Sequence, residues 1–271
     1  MPELPEVETT RRGIAPHVIN KKVRAVVIRQ QCLRWPIPAA LATALAGRHI
    51  TRVGRRAKYL IFYLEHGSVL LHLGMSGSLR VMEAAIPPDK HDHVDIVFHD
   101  HTCLRLRDPR RFGSIHWTEQ DPLQHPLLRH LGPEPLGATF TGERLYALSR
   151  GRTQSVKIFI MDSRIVVGVG NIYASEALFR SGIHPLRRAG NISLKRYGAL
   201  TGAIRDVLNA ALAKGGTTLR DFVGGDGAPG YFKLDLNVYD RAGEPCRVCA
   251  GNIRQIRQGQ RSTYYCPRCQ R

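Results

Sequence analysis

Apolar and polar positions divide this chain into a β-rich first half and a helical second half. Between about residues 23 and 117, short apolar runs are separated by turn-forming residues, a pattern typical of strands with tight connections. In one run, Val94, Ile96 and Phe98 alternate with polar neighbours, which predicts a strand with one buried face and one exposed face. The predicted strands lie within 58–64, 68–75, 93–100 and 102–108.

The amino terminus is predicted to begin a helix. Pro2 and Pro5 suit a first helical turn, where a backbone N–H has no intrahelical partner to lose. Glu3, Glu6 and Glu8 lie where the helix dipole favours carboxylates. Both features stabilise a helix start, so on their own they need no catalytic explanation.

The second half is predicted to be helical and to end in a separate small segment. Four prolines between 119 and 136 indicate a domain boundary, and apolar residues at helical spacing predict a long helix over 194–214. Asn191 or Ser193 suits its start, and Gly215-Gly216 its end. A glycine-rich loop at 217–232 follows. The predicted domains are 1–130, 131–232 and 237–271.

The charge of the chain favours nucleic acid as a partner. Lys and Arg number 40 against 22 Asp and Glu, giving a formal net charge of +18. Such an excess is offset by a polyanion, although a generally basic surface is the simpler alternative. We find no apolar run of membrane-spanning length, no basic amphipathic helix and no secretion signal in MPELPEVETTRR, so we expect a cytoplasmic protein without membrane contact.

Cysteine spacing predicts a structural zinc site. Two C-x2-C pairs separated by sixteen residues match the spacing of tetrahedral zinc ligands, and four thiolates leave no open position for catalysis. Disulfides are the alternative. Cys32 and Cys103 stand apart and are interpreted as buried thiols. The predicted ligands are Cys246, Cys249, Cys266 and Cys269.

Between the cysteine pairs, residues 252–265 are predicted to form a β-hairpin with its turn at 258–260, which places Arg261 near the tip. Seven arginines against two acidic residues give the segment 237–271 a net charge of +5. A hairpin this short cannot bury a core, so we expect the metal to supply its folding free energy. A rigid basic hairpin suits a groove of DNA.

Pro2 is also a candidate nucleophile. Proline at this position favours removal of Met1, which exposes a secondary amine that is partly unprotonated near neutral pH. Attack of this amine at C1′ of a nucleoside would expel the base and leave an iminium ion, which makes β-elimination of the 3′ phosphate possible. Glu3 adjoins the amine and Glu6 lies on the same helical face, so they could supply an acid and a supporting carboxylate.

Four motifs in order resemble the bacterial formamidopyrimidine-DNA glycosylases. They are PELPEVE at the amino terminus, DPRRFG at 108–113, GVGNIYASEALF at 168–179 and the four-cysteine finger. They span nearly the whole chain. The resemblance implies an α+β fold: an N-terminal β-sandwich with a catalytic helix, a helix–two-turn–helix domain and a zinc-bound β-hairpin. It also implies a monomer that acts on double-stranded DNA with oxidised purines or abasic sites.

The resemblance implies roles for individual residues. Pro2 would be the Schiff-base nucleophile and Glu3 the acid that opens the sugar ring. Lys58 would serve phosphate contact and elimination, and Arg261 would grip the phosphates around the lesion and assist β,δ-elimination. Alternatively, Lys58 is simply a basic residue entering a strand.

A flipped base leaves a hole in the DNA stack that a protein must fill. By resemblance, Met75 and Phe112 would enter the stack while Arg110 addresses the orphaned partner base. Alternatively, Met75 belongs to the core. The remaining DNA contacts implied by resemblance are His91, Arg152, where the family often has lysine, and Asn171, which also suits an ordinary helix N-cap.

Three other functions remain open. Endonuclease VIII shares the proline chemistry and favours oxidised pyrimidines, but its amino terminus usually has Pro-Glu-Gly-Pro-Glu, whereas Leu4 stands here. A non-enzymatic zinc-ribbon binder would explain the charge and the finger without Pro2. An enzyme that uses an amino-terminal proline on small keto acids would leave the positive charge and the zinc finger unexplained. We therefore predict excision of 8-oxoguanine and ring-opened purines. The glycine-rich segment 217–232 resembles the loop that closes over the flipped purine in the formamidopyrimidine family; alternatively, it is a plain domain connector.

Overall fold

The computed structural model describes residues 2–215 and 236–271. The chain forms two compact units, the first built mainly from residues 2–129 and the second mainly from 130–211 and 236–271. The predicted glycine-rich loop at 217–232 lies outside the described residues. In the described ranges, no helix combines the length and apolar character that a membrane span requires.

The first helix, α1 (Leu4–Val18), begins as predicted just after Pro2. The carboxylate of Glu6 accepts the backbone N–H of Glu3 at 2.8 Å, which satisfies a donor at the helix start. Leu4 and Ile14 are fully buried, so one face of α1 belongs to the interior of the first unit.

Within residues 2–129, eight strands form two four-stranded antiparallel sheets. The sheet orders are β1-β6-β7-β5 and β2-β3-β4-β8. A short helix, α2 (Leu41–Leu45), follows β1. One buried apolar cluster contains side chains from both sheets and α1. The strands are β1 (Val23–Ile28), β2 (Ile50–Arg56), β3 (Tyr59–Leu64), β4 (Ser68–His72), β5 (Ser78–Glu83), β6 (Asp92–Phe98), β7 (Thr102–Arg107) and β8 (Ser114–Thr118).

The prediction that β6 has an exposed polar face is wrong, because all its residues are buried. The strand lies between β1 and β7, and its polar side chains are paired. Asp95 accepts hydrogen bonds from Arg29 at 2.6 Å and from Arg105 at 2.8 and 2.9 Å. The interpretation of Cys32 as buried is also wrong, since it is exposed, whereas Cys103 is buried as predicted.

The second unit contains the predicted long helix. Ser193 accepts the N–H of Arg196 at 3.4 Å at its start, and its apolar face packs with Phe159 and Tyr173 in one buried cluster. The predicted terminal hairpin is also present. The elements are α3 (Gly142–Ser149), α4 (Val156–Met161), α5 (Asn171–Arg180), α6 (Leu194–Gly215), β9 (Arg254–Gln258) and β10 (Arg261–Tyr265).

The finger segment, residues 237–271, forms a small buried cluster together with one residue of α5. It includes two of the predicted metal ligands, so little of it is ordinary apolar core. The cluster consists of Phe179 from α5 with Val238, Cys246, Ile253, Tyr264 and Cys266.

Candidate active site and metal centre

Pro2 is buried and lies two positions before the first residue of α1. Glu3 is 2% exposed and has an extended backbone at the helix N-cap. Glu6, one turn into α1, binds the Glu3 backbone and thereby fixes the residue beside Pro2. The two predicted carboxylates and the predicted nucleophile are therefore gathered at one helix start.

Lys58 lies in the two-residue turn between β2 and β3, where Ala57 has a φ of +55°. Arg55 connects this turn to α1: its Nη1 donates to the Ala57 carbonyl at 2.8 Å, and its Nε donates to Glu8 at 3.1 Å. Burial raises the pKa of Glu8, but hydrogen bonds and charges from Arg11 and its basic neighbours outweigh this and lower it to about 2. Glu8 therefore stays ionised and holds Arg55 in place.

His72 adds a neutral group beside Lys58. Burial, followed by the positive charges of Lys58 and Arg34, lowers the pKa of His72 to about 4. Its Nδ1 accepts the N–H of Gly74 at 2.9 Å, which only an unprotonated nitrogen can do. A neutral ring at this position avoids adding a further positive charge next to Lys58.

Met75 and Phe112 are large apolar residues that are exposed, at 37% and 43%. They lie on adjacent turns. Gly74 has a φ of +66°, and a Cβ there would lie 2.3 Å from the carbonyl carbon of Phe112, so only glycine allows the two turns to approach this closely. Arg110 lies with its guanidinium 4.9 Å from the centre of the Phe112 ring. The structure thus brings the three predicted stack-filling residues together, and the interpretation of Met75 as core is wrong.

His91 is half-buried, and its carbonyl accepts the backbone N–H of Asp108 at 3.0 Å, next to the turn that carries Phe112. Arg152 lies in the second unit and is exposed. Its backbone N–H donates to Ser149 at 3.0 Å, so the backbone from which its side chain projects is held in place.

The four predicted zinc ligands meet at one point. Their sulfur atoms all lie within 4.8 Å of one another. The Sγ atoms of Cys249 and Cys266 are 3.4 Å apart, and those of Cys246 and Cys269 are 3.8 Å apart. Zn–S bonds of about 2.3 Å in a tetrahedron place sulfurs about 3.8 Å apart. Four thiols at this spacing fit one structural zinc ion.

The predicted hairpin turn is confirmed. β9 and β10 pair with Gln258 opposite Arg261, and the two loop residues, Gly259 and Gln260, have φ values of +51° and +61°. Positive φ at both positions is what a type I′ turn requires. Arg261 is exposed at the first position of β10.

Asn171 does not cap its helix, because Gly170 is the N-cap and Asn171 is the first helical residue. Its side chain instead binds the hairpin: Nδ2 donates to the Ser262 carbonyl at 2.9 Å, and Oδ1 accepts from Lys157 at 2.7 Å. The Lys157 ammonium also donates to Thr263 at 2.7 Å. A cation and an amide thus fix the strand that begins at Arg261.

Sequence reasoning missed Lys157 and Glu176. Lys157 is 1% exposed, and the available signal was a single lysine inside the apolar run Val156–Met161. Glu176 is buried, and its carboxylate accepts the backbone N–H groups of Asn237, Val238 and Tyr239 at 2.9 Å each. The available signal was a single glutamate among the mostly small and apolar residues of the motif 168–179.

Comparisons with known proteins cover three consecutive segments. Residues 1–115 match the formamidopyrimidine-DNA glycosylase N-terminal domain, and 131–223 match the formamidopyrimidine-DNA glycosylase H2TH domain. Residues 243–271 match a zinc finger found in FPG and IleRS. Together the three matches define a DNA glycosylase of base excision repair.

Whole-chain relatives give the family. The formamidopyrimidine-DNA glycosylases of Methylococcus capsulatus and Stutzerimonas stutzeri are 61% and 59% identical over 271 residues, and the matches cover all of each chain. The MutM (Fpg) structure from Thermus thermophilus matches with a TM-score of 0.84 and 38% identity, covering 99% of this chain and 98% of that one. The Lactococcus lactis Fpg (MutM) complex with Fapy-dG-containing DNA matches with a TM-score of 0.90 and 30% identity, covering 99% and 100%. The chain belongs to the formamidopyrimidine-DNA glycosylase family.

Proposed function

We propose that this glycosylase is bifunctional, excising oxidised purines through a Schiff base at Pro2 and then cleaving the strand as an AP lyase. The observation that supports the proposal is the placement of Pro2 beside the start of α1, next to the buried Glu3, whose backbone N–H is held by Glu6. A secondary amine with carboxylates beside it is the group that covalent catalysis at a sugar carbon needs.

The chemistry follows from the amine. The Pro2 nitrogen forms a bond to C1′ and gives up its N–H proton, while the glycosidic bond breaks and the base leaves with the bonding electron pair and takes up a proton. The ring oxygen, protonated by Glu3, opens to give an iminium ion. Loss of a 2′ proton then expels the 3′ phosphate by β-elimination, and a further proton loss expels the 5′ phosphate by δ-elimination. Water hydrolyses the iminium and frees Pro2.

Lys58 and Arg261 are proposed to bind phosphates around the lesion and to assist the eliminations. The Arg55–Glu8 contacts hold the backbone before Lys58, and the Lys157–Asn171 contacts hold the strand that begins at Arg261. Fixed backbones lower the cost of placing long cationic side chains on phosphate oxygens.

We propose that Met75 and Phe112 fill the gap left by the flipped base and that Arg110 contacts its former partner. The exposure of Met75 and Phe112 and the contact of the Arg110 guanidinium with the Phe112 ring support this role. The remaining proposed DNA contacts are His91, Arg152 and Asn171. Solved Lactococcus lactis relatives are complexes with abasic-site DNA and with Fapy-dG DNA, which supports damaged purines in duplex DNA as the substrate.

The first test is borohydride trapping on a duplex with one 8-oxoguanine opposite cytosine. We expect the wild-type protein to form a covalent adduct, and mass spectrometry of the free protein to show that Met1 has been removed. Pro2→Gly should trap at least about 100-fold more slowly, since a primary amine gives an imine that must be protonated before it acts as an electron sink. Two extra residues before Pro2 should abolish trapping.

Two results would contradict the proposal. Trapping on a dihydrouracil duplex but not on 8-oxoguanine would indicate an endonuclease VIII-like preference. The absence of any adduct from zinc-loaded, DNA-binding protein would remove the lyase chemistry altogether.

A further inference from the structure

Asp108 is fully buried in the first unit, and each of its polar groups has a partner. Its carboxylate accepts the Ser76 hydroxyl at 2.8 Å and the Gly113 N–H at 2.7 Å. Its own N–H donates to His91 at 3.0 Å, and its carbonyl lies 2.9 Å from Nε2 of His93. A carbonyl only accepts, so His93 donates here.

Ser76 links Asp108 to a second turn through two hydrogen bonds. While its hydroxyl donates to Asp108, its oxygen accepts the backbone N–H of Arg110 at 3.2 Å. One hydroxyl therefore joins the turn that carries Met75 to the turn that carries Arg110 and Phe112.

The two turns have little freedom to shift relative to each other. An added Cβ at Gly113 would lie 2.8 Å from the carbonyl oxygen of His72, and Arg111 has a φ of +54°, which is unusual for a residue with a side chain. Such conformations persist when surrounding contacts over-determine them. The contacts that do so here come from Asp108.

We propose that Ser76 and Asp108 are positioning residues that fix Met75, Arg110 and Phe112 as one rigid wedge. The inference rests on the proposed function, in which those three side chains occupy the gap left by the flipped base. Ser76 and Asp108 touch no substrate in this arrangement. They control how well the lesion is extruded and how the opposite base is discriminated, and they leave the amine chemistry of Pro2 unchanged.

The residues that Ser76 and Asp108 hold in place favour this role over simple stabilisation of the fold. Met75, Arg110 and Phe112 are exposed and contribute little to the core. Fixing them in place therefore removes little apolar surface from water and adds little to the stability of the fold. A rigid wedge, by contrast, avoids the entropy cost of ordering two loops and three side chains when DNA binds.

The test compares two substrates in single-turnover reactions with saturating protein. One is an 8-oxoguanine duplex with cytosine or adenine opposite, which needs extrusion and discrimination. The other is a single-stranded abasic oligonucleotide, which has no base to extrude and no partner base. Borohydride trapping on the second substrate reports the Pro2 chemistry alone.

We expect Ser76→Ala to lower base excision from the duplex about tenfold, the size of losing one hydrogen bond to a charged group. The preference for cytosine over adenine should shrink, while trapping on the single strand should stay within about twofold of wild type. Ser76→Thr, which keeps the hydroxyl, should restore excision. Asp108→Asn, whose amide nitrogen cannot accept, should lose more than Ser76→Ala.

Thr102→Val is the matched control. The Thr102 hydroxyl also donates to an aspartate, Asp100, at 2.7 Å and accepts from Lys21 at 2.9 Å, but none of these three residues has a proposed DNA role. The control should behave as wild type on both substrates.

Three results would overturn the inference. Ser76→Ala and Asp108→Asn could both match wild type on the duplex. They could slow both substrates equally, which would indicate a role in folding alone, to be checked by urea unfolding. Thr102→Val could reproduce the Ser76→Ala pattern. Failure of wild-type protein to trap on the single strand is a different result, since it would remove the proposed lyase function itself and this inference with it.

Discussion

The interactions that stabilise the first unit differ from those that stabilise the finger segment. In the first unit, an apolar cluster extends from α1 through both sheets. The finger segment is stabilised instead by four cysteines, a small buried cluster and hydrogen bonds to Lys157 and Glu176. Burial stabilises in proportion to area and tolerates small displacements, whereas metal coordination and hydrogen bonds depend on position.

This difference matches what each region is proposed to do. The first unit must present a nucleophile on a stable scaffold, and a large core provides that. The finger must present Arg261 at a defined point on a hairpin too small for a core. Directional bonds are the physical means by which a small element can hold one side chain in a fixed place.

Zinc removal should give the largest effect and should separate the stability of the finger segment from that of the first unit. With a chelator, or in Cys266→Ser, we expect backbone amides in β9 and β10 to lose hydrogen-exchange protection, because zinc binding supplies the folding free energy of such segments. Amides of β6 and β7 should stay protected. Affinity for lesion DNA should fall at least about 100-fold. Loss of protection in both regions would show that the two are not independent.

Phe62→Ala is the converse test. Phe62 is fully buried in the core of the first unit, and its truncation should lower the free energy of unfolding by about 3–5 kcal/mol through lost burial and a cavity. Urea unfolding with fluorescence measures this. Tyr63→Phe, one position along the same strand, is the control. Zinc content of the folded protein should not change, and a drop in zinc would break the comparison.

Lys157→Met should have a smaller effect, confined to the finger and its support. The variant leaves Asn171 and Thr263 without the ammonium that joins them, at a cost of about 2 kcal/mol. We expect faster exchange of β10 amides and weaker DNA binding with normal zinc content. Ile158→Met, on the exposed face of the same helix, is the control. Unchanged β10 exchange would argue against this anchoring.

The smallest effect, taken per pH unit, is the pH dependence of the first unit. The pKa of His72 is lowered to about 4, so between pH 6.5 and 4 the unfolded chain takes up a proton that the folded chain does not. The free energy of unfolding should therefore fall with falling pH in that window, by at most about 1.4 kcal/mol per pH unit. His72→Gln should flatten the slope there. A slope identical to wild type would exclude His72 as its source.

Features with local signals were predicted from the sequence, and features that depend on distant partners were not. The strands, helix α6, the cysteine cluster and the 258–261 turn follow from spacing and turn chemistry within a few residues. The burial of the polar face of β6 depends on Arg29, which follows β1, and on Arg105 in β7. Lys157 meets Thr263 across 106 positions, and no local pattern indicates that pairing. The wedge residues were found by family resemblance, because exposure of an apolar residue leaves no mark in the sequence.

The buried ion pairs around Asp95 restrict which amino-acid substitutions related sequences can accept at these positions. Removing Arg105 alone would take two hydrogen bonds from the buried Asp95 carboxylate and leave Arg29 to compensate its charge, whereas replacing the whole set with apolar residues of similar volume can be neutral. Single substitutions at these positions are therefore harmful although joint ones are tolerated. Positions 29, 95 and 105 should covary among related sequences, as an epistatic group rather than as three separately constrained sites.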